Sequence, residues 1–337
     1  MAKQQRIDPR TVERRRAQAK SKSKSGHPGR SGRPVPPPKP ATLGTWIAGA
    51  RPFTLPLAVP PVALGAAAAS TLDQPWSSHW ARMLLCLGIA LALQIGANYA
   101  NDYSDGVRGT DRDRVGPQRL VASGRAKPRT VLTVAIVFFG IAAVLGLLLM
   151  WRTGLWWFLL LGVVCLAAAW FYTGGRRPYG YAPLGELAVL LFFGVVPAVG
   201  TAIAVHGSFE IDGFVLLLAL LGGVAAGFFA AAVLMSNNLR DRERDATHGK
   251  RTLSVLIGSL ASRILFAVFL AIPFGLLAFF TVFFPNAAYS FFALLAAIPA
   301  ALIVITARTP RELVTALQLT VLTAFAYGLG VAAAIAL

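Results

Sequence analysis

Nine stretches of this chain, roughly 53–70, 80–101, 130–150, 155–173, 184–205, 213–236, 256–281, 286–307 and 314–336, run almost without a charged side chain. An apolar run of about 20 residues spans a bilayer as a helix. An open sheet cannot do so, because its edge groups would go unsatisfied in lipid. With 56% hydrophobic and only 14% charged residues, the composition excludes an ordinary soluble domain. The pattern predicts an all-α integral membrane protein, a bundle of nine transmembrane helices. Pro52, Pro56, Pro60 and Pro61 at the first span, Pro197 in the fifth, and Pro273 and Pro299 later predict kinked spans. Kinks around a central cavity open to the cytosol would suit a long lipid tail. Cys86 and Cys165 both fall inside spans, which gives neither a disulfide framework nor thiolate spacing for a metal.

The net charge of +18 suggests nucleic acid until its placement is considered. Residues 1–44 hold many of the Lys and Arg, with only Asp8 and Glu13 against them, in a Pro/Gly/Ser-rich stretch too poor in apolar side chains to order itself. This stretch reads as a disordered basic cytosolic arm held near anionic headgroups, with the membrane domain at 45–337. It has no apolar h-region and so does not read as a secretory signal. With the N-terminus in the cytosol, every one of the 32 Lys and Arg except Arg82 and Arg152 lies on the cytosolic side. The positive-inside rule therefore predicts a multi-pass protein with its C-terminus outside, and the expected location is the plasma membrane.

Against this background, two acidic clusters stand out. One runs from Asn98 through Asn101, Asp102 and Asp105 to Asp111, and the other from Asn237 through Asn238 and Asp241 to Asp245. On a helix, Asn98, Asp102 and Asp105 share one face, as do Asn237, Asp241 and Asp245. Both clusters close a span at its cytosolic, water-facing end. Like charges at this spacing destabilise a helix and call for a counter-cation. Hard oxygen donors with open positions suit Mg²⁺, which takes one or two carboxylates and completes its octahedron with water and phosphate. Gly106 and Gly109 are expected to break the first helix. Arg119 and Lys127 beyond the first cluster, and Lys250 and Arg251 beyond the second, supply cations for the remaining phosphate oxygens. A solvated loop obeying the positive-inside rule explains these bases, but neither the acids nor their one-face spacing.

A third segment, Tyr172 to Glu186, joins spans 4 and 5. Its tyrosines suit an interfacial aromatic belt. Tyr172 and Tyr179 beside Arg176 and Arg177, with a near-membrane Glu186, equally suit a polar aromatic substrate. Arg51, opening span 1, reads either as a snorkelling side chain or as an anion contact.

Taken together, these residues resemble the UbiA superfamily of intramembrane prenyltransferases, and within it the 1,4-dihydroxy-2-naphthoate polyprenyltransferases of menaquinone synthesis. The matching stretches are Ala50 to Pro56, Asn98 to Arg119, Tyr172 to Glu186 and Asn237 to Leu253. The resemblance implies transfer of a polyprenyl group from its diphosphate to dihydroxynaphthoate, with loss of CO₂, giving demethylmenaquinone. It implies Mg²⁺ held by Asn98, Asp102, Asp105 or Asp111 and by Asn237, Asp241 and Asp245, with the four acids Asp102, Asp105, Asp241 and Asp245 essential to catalysis. Asn101, Arg119, Lys127, Asn238, Lys250 and Arg251 would bind the diphosphate. Arg51, Tyr172, Arg176, Arg177 and Tyr179 would bind the aromatic acid. Two alternatives stand beside it. One is the same fold with another acceptor, such as 4-hydroxybenzoate, haem, homogentisate or a phosphoribosyl donor. The other is a secondary transporter, which would place its ionisable residues near the bilayer midplane. The spans of this chain hold almost none.

Nothing in the basic arm suits metal or ring binding. Deleting residues 2–40 is therefore expected to leave prenyl transfer in detergent unchanged. Loss of turnover at unchanged expression would show that the arm completes the site.

Overall fold

The computed structural model describes residues 40–72, 79–110 and 119–337. Most of the basic arm, and Asp111 with its neighbours, lie outside the described residues. Every regular element among the described residues is helical. In chain order these are α1 (Leu43–Gly49), a 3₁₀ turn (Leu55–Ala58) leading into α2 (Val59–Ser70), α3 (Trp80–Arg108), α4 (Pro128–Thr153) and α5 (Phe158–Phe171). There follow α6 (Gly185–Leu190), a π-helical turn (Leu191–Val195), α7 (Val196–His206), α8 (Gly213–Thr247) and α9 (Leu253–Phe283). A 3₁₀ segment (Pro285–Ala293), α10 (Leu294–Thr306) and α11 (Pro310–Ala336) complete the chain.

Among the described residues, seven helices are long and apolar enough to cross a membrane: α3, α4, Gly185–His206, α8, α9, Pro285–Thr306 and α11. The stretches expected at 53–70 and 155–173 form the shorter apolar helices Leu55–Ser70 and Phe158–Phe171. Helix α8 is the central one, with 61% of its most apolar stretch buried, against 17% for α4 at the rim. Ile136, Val137, Val144 and Leu147 of α4 are exposed, as an apolar face turned to lipid requires. Around α8 the core closes on Phe229, Phe266, Phe280 and Tyr327. The buried Tyr327 hydroxyl donates to the Pro273 carbonyl at 2.8 Å, which satisfies both groups.

Small residues let α2, α7 and α8 approach closely, as van der Waals packing in lipid demands. A Cβ on Gly65 would collide with the Ala198 carbonyl, and one on Gly194 with the Gly223 carbonyl and the Gly227 backbone. Gly194 lies in the π-helical turn just before Pro197, so the expected irregularity of this span falls there.

One sequence expectation is corrected, and α9 carries a break that its proline does not announce. In α9 the backbone leaves helical geometry at Gly258 (φ 80°, ψ 178°), well before Pro273, and Ser262 Oγ donates to the Gly258 carbonyl at 2.7 Å. Gly106 does not break α3, which runs on to Arg108 and ends at Gly109 in the left-handed region (φ 74°). Gly106 is instead a packing residue, because a Cβ there would strike the Val121 side chain.

Gly65→Val is expected to destabilise the fold by about 1–3 kcal/mol, the usual cost of overpacking. Thermal unfolding in detergent measures it, and an unchanged transition would refute the close α2–α7 contact.

Candidate active site

Helices α3 and α8 continue past their apolar stretches, and the acidic clusters ride on these extensions. The one-face spacing holds, because each cluster lies on one unbroken helix. Asn98, Asp102, Asp105, Asp241 and Asp245 are all buried. Burying a carboxylate without compensation is costly, and every one of the four acids takes part in compensating contacts.

Asp102 accepts the backbone N–H groups of Leu120 and Val121, at 2.9 and 3.1 Å, one on each oxygen. It thereby fastens the loop that follows the first cluster to α3. Asp105 accepts the Tyr181 hydroxyl at 2.6 Å and pairs with Lys250 Nζ at 3.3 Å. Lys250 Nζ also lies 4.4 Å from the centre of the Tyr181 ring, within cation–π range. The Lys250 backbone N–H donates to the Asp245 carbonyl at 2.9 Å, and that of Arg251 to the Tyr181 carbonyl at 2.8 Å. Three segments far apart in sequence thus meet at Tyr181. Burial raises the pKa of its phenol, and the charge of Asp105 adds to the rise, so the hydroxyl stays a donor at neutral pH.

The second cluster is neutralised locally. Arg240 makes a two-pronged contact with Asp241 at 3.0 and 2.8 Å, and Arg244 lies 3.5 Å from Asp241 and 3.9 Å from Asp245. The counter-cations that the spacing calls for are therefore present in the chain itself. Sequence reading passed over Arg240, because a neighbouring residue on a helix ordinarily points elsewhere.

The carboxamides hold neighbouring segments. Asn98 donates to the Ala50 carbonyl at 2.9 Å, just before Arg51, whose φ of 57° is the one positive value at a non-glycine residue among those described. Asn101 accepts the Thr173 hydroxyl at 2.6 Å, and Asn238 donates to Glu186 Oε1 at 2.9 Å. Arg108, which the sequence did not single out, donates to the carbonyls of Thr173 and Gly175. The bonds of Asn101, Asn238 and Arg108 tie the Tyr172–Glu186 segment to the acidic helices.

The remaining candidates are more dispersed. Arg176, Arg177, Arg251 and Lys127 have exposed side chains, and Lys127 sits at the N-cap of α4. Arg119 and Asn237 are half-buried. Tyr172 stacks edge-on with Tyr179, with centroids 5.4 Å apart. The Tyr179 hydroxyl is engaged by the Ala168 carbonyl at 2.7 Å, and burial pushes its pKa up to about 12. Burial, then the charge of Glu186, raises that of Tyr172. Among the described residues, no group of three or more His, Cys, Asp or Glu converges as a closed metal site. Pairs of carboxylates still match Mg²⁺, which keeps most of its octahedron for water and phosphate.

The profile of the UbiA prenyltransferase family matches residues 58–329. The 1,4-dihydroxy-2-naphthoate octaprenyltransferase of Mycobacterium tuberculosis is 43% identical over 297 residues, covering 88% of this chain and 98% of that one. Among solved structures, the apo UbiA homologue from Aeropyrum pernix superposes with a TM-score of 0.60 at 18% identity, covering 83% and 96% of the two chains. The Archaeoglobus fulgidus UbiA homologue bound to DMAPP and Mg²⁺ gives 0.56 at 16% identity, covering 86% and 99%.

Tyr181→Phe removes one hydrogen bond to a buried carboxylate and keeps the ring. Hydrogen bonds to charged groups contribute about 1.5–3 kcal/mol, so a loss of that size in detergent unfolding is expected. No loss would mean that the Asp105–Tyr181 bond does not hold the segments together.

Proposed function

We propose that this chain, which belongs to the UbiA prenyltransferase family, transfers a polyprenyl group from its diphosphate to 1,4-dihydroxy-2-naphthoate with loss of CO₂, the product arising as the quinol form of demethylmenaquinone. The single observation that carries this reading is that both acidic clusters meet the Tyr172–Glu186 segment, the first through Asp105 and Tyr181 and the second through Asn238 and Glu186. The relative from M. tuberculosis, 43% identical over nearly its whole length, supports the acceptor.

In this reading Leu55–Ser70 and Phe158–Phe171 also cross the bilayer, which makes nine spans around a cavity open to the cytosol. The N-terminus is cytosolic, the C-terminus lies outside, and the membrane is the plasma membrane. Asp102 and Asp105, with Asn98, face Asp241 and Asp245, with Asn237, across the diphosphate, and Asp111 is a further candidate outside the described residues. Bound there, Mg²⁺ would supply Lewis-acid stabilisation of the departing diphosphate. Lys250 and Arg251, with Arg119, Lys127, Asn101 and Asn238, are the residues assigned to the phosphate oxygens. Arg51, Arg176 and Arg177 are assigned to the acceptor carboxylate, beside the rings of Tyr172 and Tyr179. The apolar helices keep water from the allylic cation.

Asp241 is the cleanest site to test, since Asp102→Asn would also disturb the loop held by its two oxygens. Asp241→Asn is expected to cut prenyl transfer more than tenfold in saturating Mg²⁺ while the protein remains folded. Retained transfer above about a tenth of the parent rate would remove Asp241 from the site. Replacing the correct acceptor arginine by Gln should raise KM for the naphthoate roughly 10- to 100-fold, the equivalent of one charge-assisted hydrogen bond. KM for the prenyl diphosphate should stay nearly constant. If all three Arg→Gln variants keep the naphthoate KM within about twofold, the acceptor lies elsewhere.

A further inference from the structure

Glu186 opens α6 and is only 5% exposed. Its Oε1 accepts a hydrogen bond from Asn238 Nδ2 at 2.9 Å. Its Oε2 is equally buried and receives a hydrogen bond from no other described residue. A carboxylate oxygen sealed from water without a donor is destabilising, and a ligand that brings an O–H to it removes that cost. Asn238 lies three residues before Asp241 on α8, so the bond to Oε1 holds Glu186 beside the second acidic cluster. Tyr181, five residues earlier in the same segment, touches the first. The Tyr172 hydroxyl lies 3.4 Å from where a Cβ on the residue preceding Glu186, Gly185, would stand.

We propose that Glu186 is the base for the aromatic acceptor, its Oε2 taking the proton of the ring hydroxyl ortho to the acceptor carboxylate. The proposal rests on the prenyl transfer argued above and adds a residue to it. The allylic C–O bond breaks with its electron pair going to the diphosphate. The ring carbon bearing the carboxylate bonds to the allylic carbon as the neighbouring hydroxyl gives its proton to Oε2 and becomes a ketone. The product is a β-keto carboxylate, which readily loses CO₂. The electron pair of the broken C–C bond passes into the ring as an enolate, which recovers the proton from Glu186. Glu186 ends as it began, the acceptor leaves as a quinol, and no oxidant or reductant is consumed. Asn238 is a positioning residue, since it fixes which oxygen faces the acceptor.

The test uses the full chain in detergent, with two acceptors, 1,4-dihydroxy-2-naphthoate and its 1-methyl ether. Glu186→Gln is expected to lower kcat for the dihydroxy acid about 10²- to 10⁴-fold, the usual share of a general base. KM for the prenyl diphosphate should stay within about twofold. Binding without prenyl diphosphate, followed by the fluorescence of the naphthoate, gives an independent readout. The parent should bind the methyl ether at least about tenfold more weakly than the free hydroxyl, because a buried acceptor is then left unpaired. That gap should collapse in Glu186→Gln. A variant kcat within about threefold of the parent, or an equal gap in both proteins, overturns the proposal. If the variant does not fold, equal affinity of the parent for the two acceptors overturns it alone. A parent that does not prenylate dihydroxynaphthoate at all defeats instead the reading on which this step rests.

Discussion

The site depends on one electrostatic constraint. Carboxylates buried at the ends of α3 and α8 must find cations or N–H and O–H donors inside the protein. Asp105 finds Tyr181 and Lys250, Asp102 finds the backbone of Leu120 and Val121, and Asp241 finds Arg240 and Arg244. Each solution draws a loop or a neighbouring side chain over the helix end. Removing one partner would leave a charge uncompensated, which costs far more than the net strength of the pair.

This arrangement is also suited to exchange. Lys250, Arg240 and Arg244 pair with the acids, and in the proposed reaction such cations would meet the anionic oxygens of the diphosphate. A metal-bridged diphosphate bound as proposed would offer the acids a metal and the cations phosphate oxygens. Support for this site comes from α8, the most buried of the long apolar helices, which carries Asp241, Asp245 and Asn238 on the continuation of a tightly packed span. The glycine contacts of α2, α7 and α8 fix that helix against its neighbours.

The loop between α5 and α6 links the two sides. Its glycines and tyrosines resemble an interfacial belt in sequence, yet the structure commits most of them to bonds. Tyr179 binds the Ala168 carbonyl, Tyr181 binds Asp105, and Gly180 donates to the Tyr172 carbonyl at 2.8 Å. A Cβ at Gly180 would strike that same carbonyl, so glycine is required there for close approach and not for flexibility. Arg176 and Arg177 stay exposed at its tip.

The sequence by itself determined the helical class, the approximate limits of each apolar span, and the placement of the acids on two helix faces. These follow from hydropathy and from the 3.6-residue repeat, both local properties of the chain. It also pointed to the family, through residues that remain close together in sequence. Only the tertiary structure decided which cation meets which acid. The Asp105–Lys250 and Asp105–Tyr181 contacts join residues 145 and 76 positions apart, and no periodicity encodes such pairings. It also decided that Gly106 packs against Val121 inside α3, that α9 leaves helical geometry at Gly258, and that the acids are buried. Burial and close approach depend on what lies on the other side of a contact, and that partner is set by the fold and not by the neighbours in the chain.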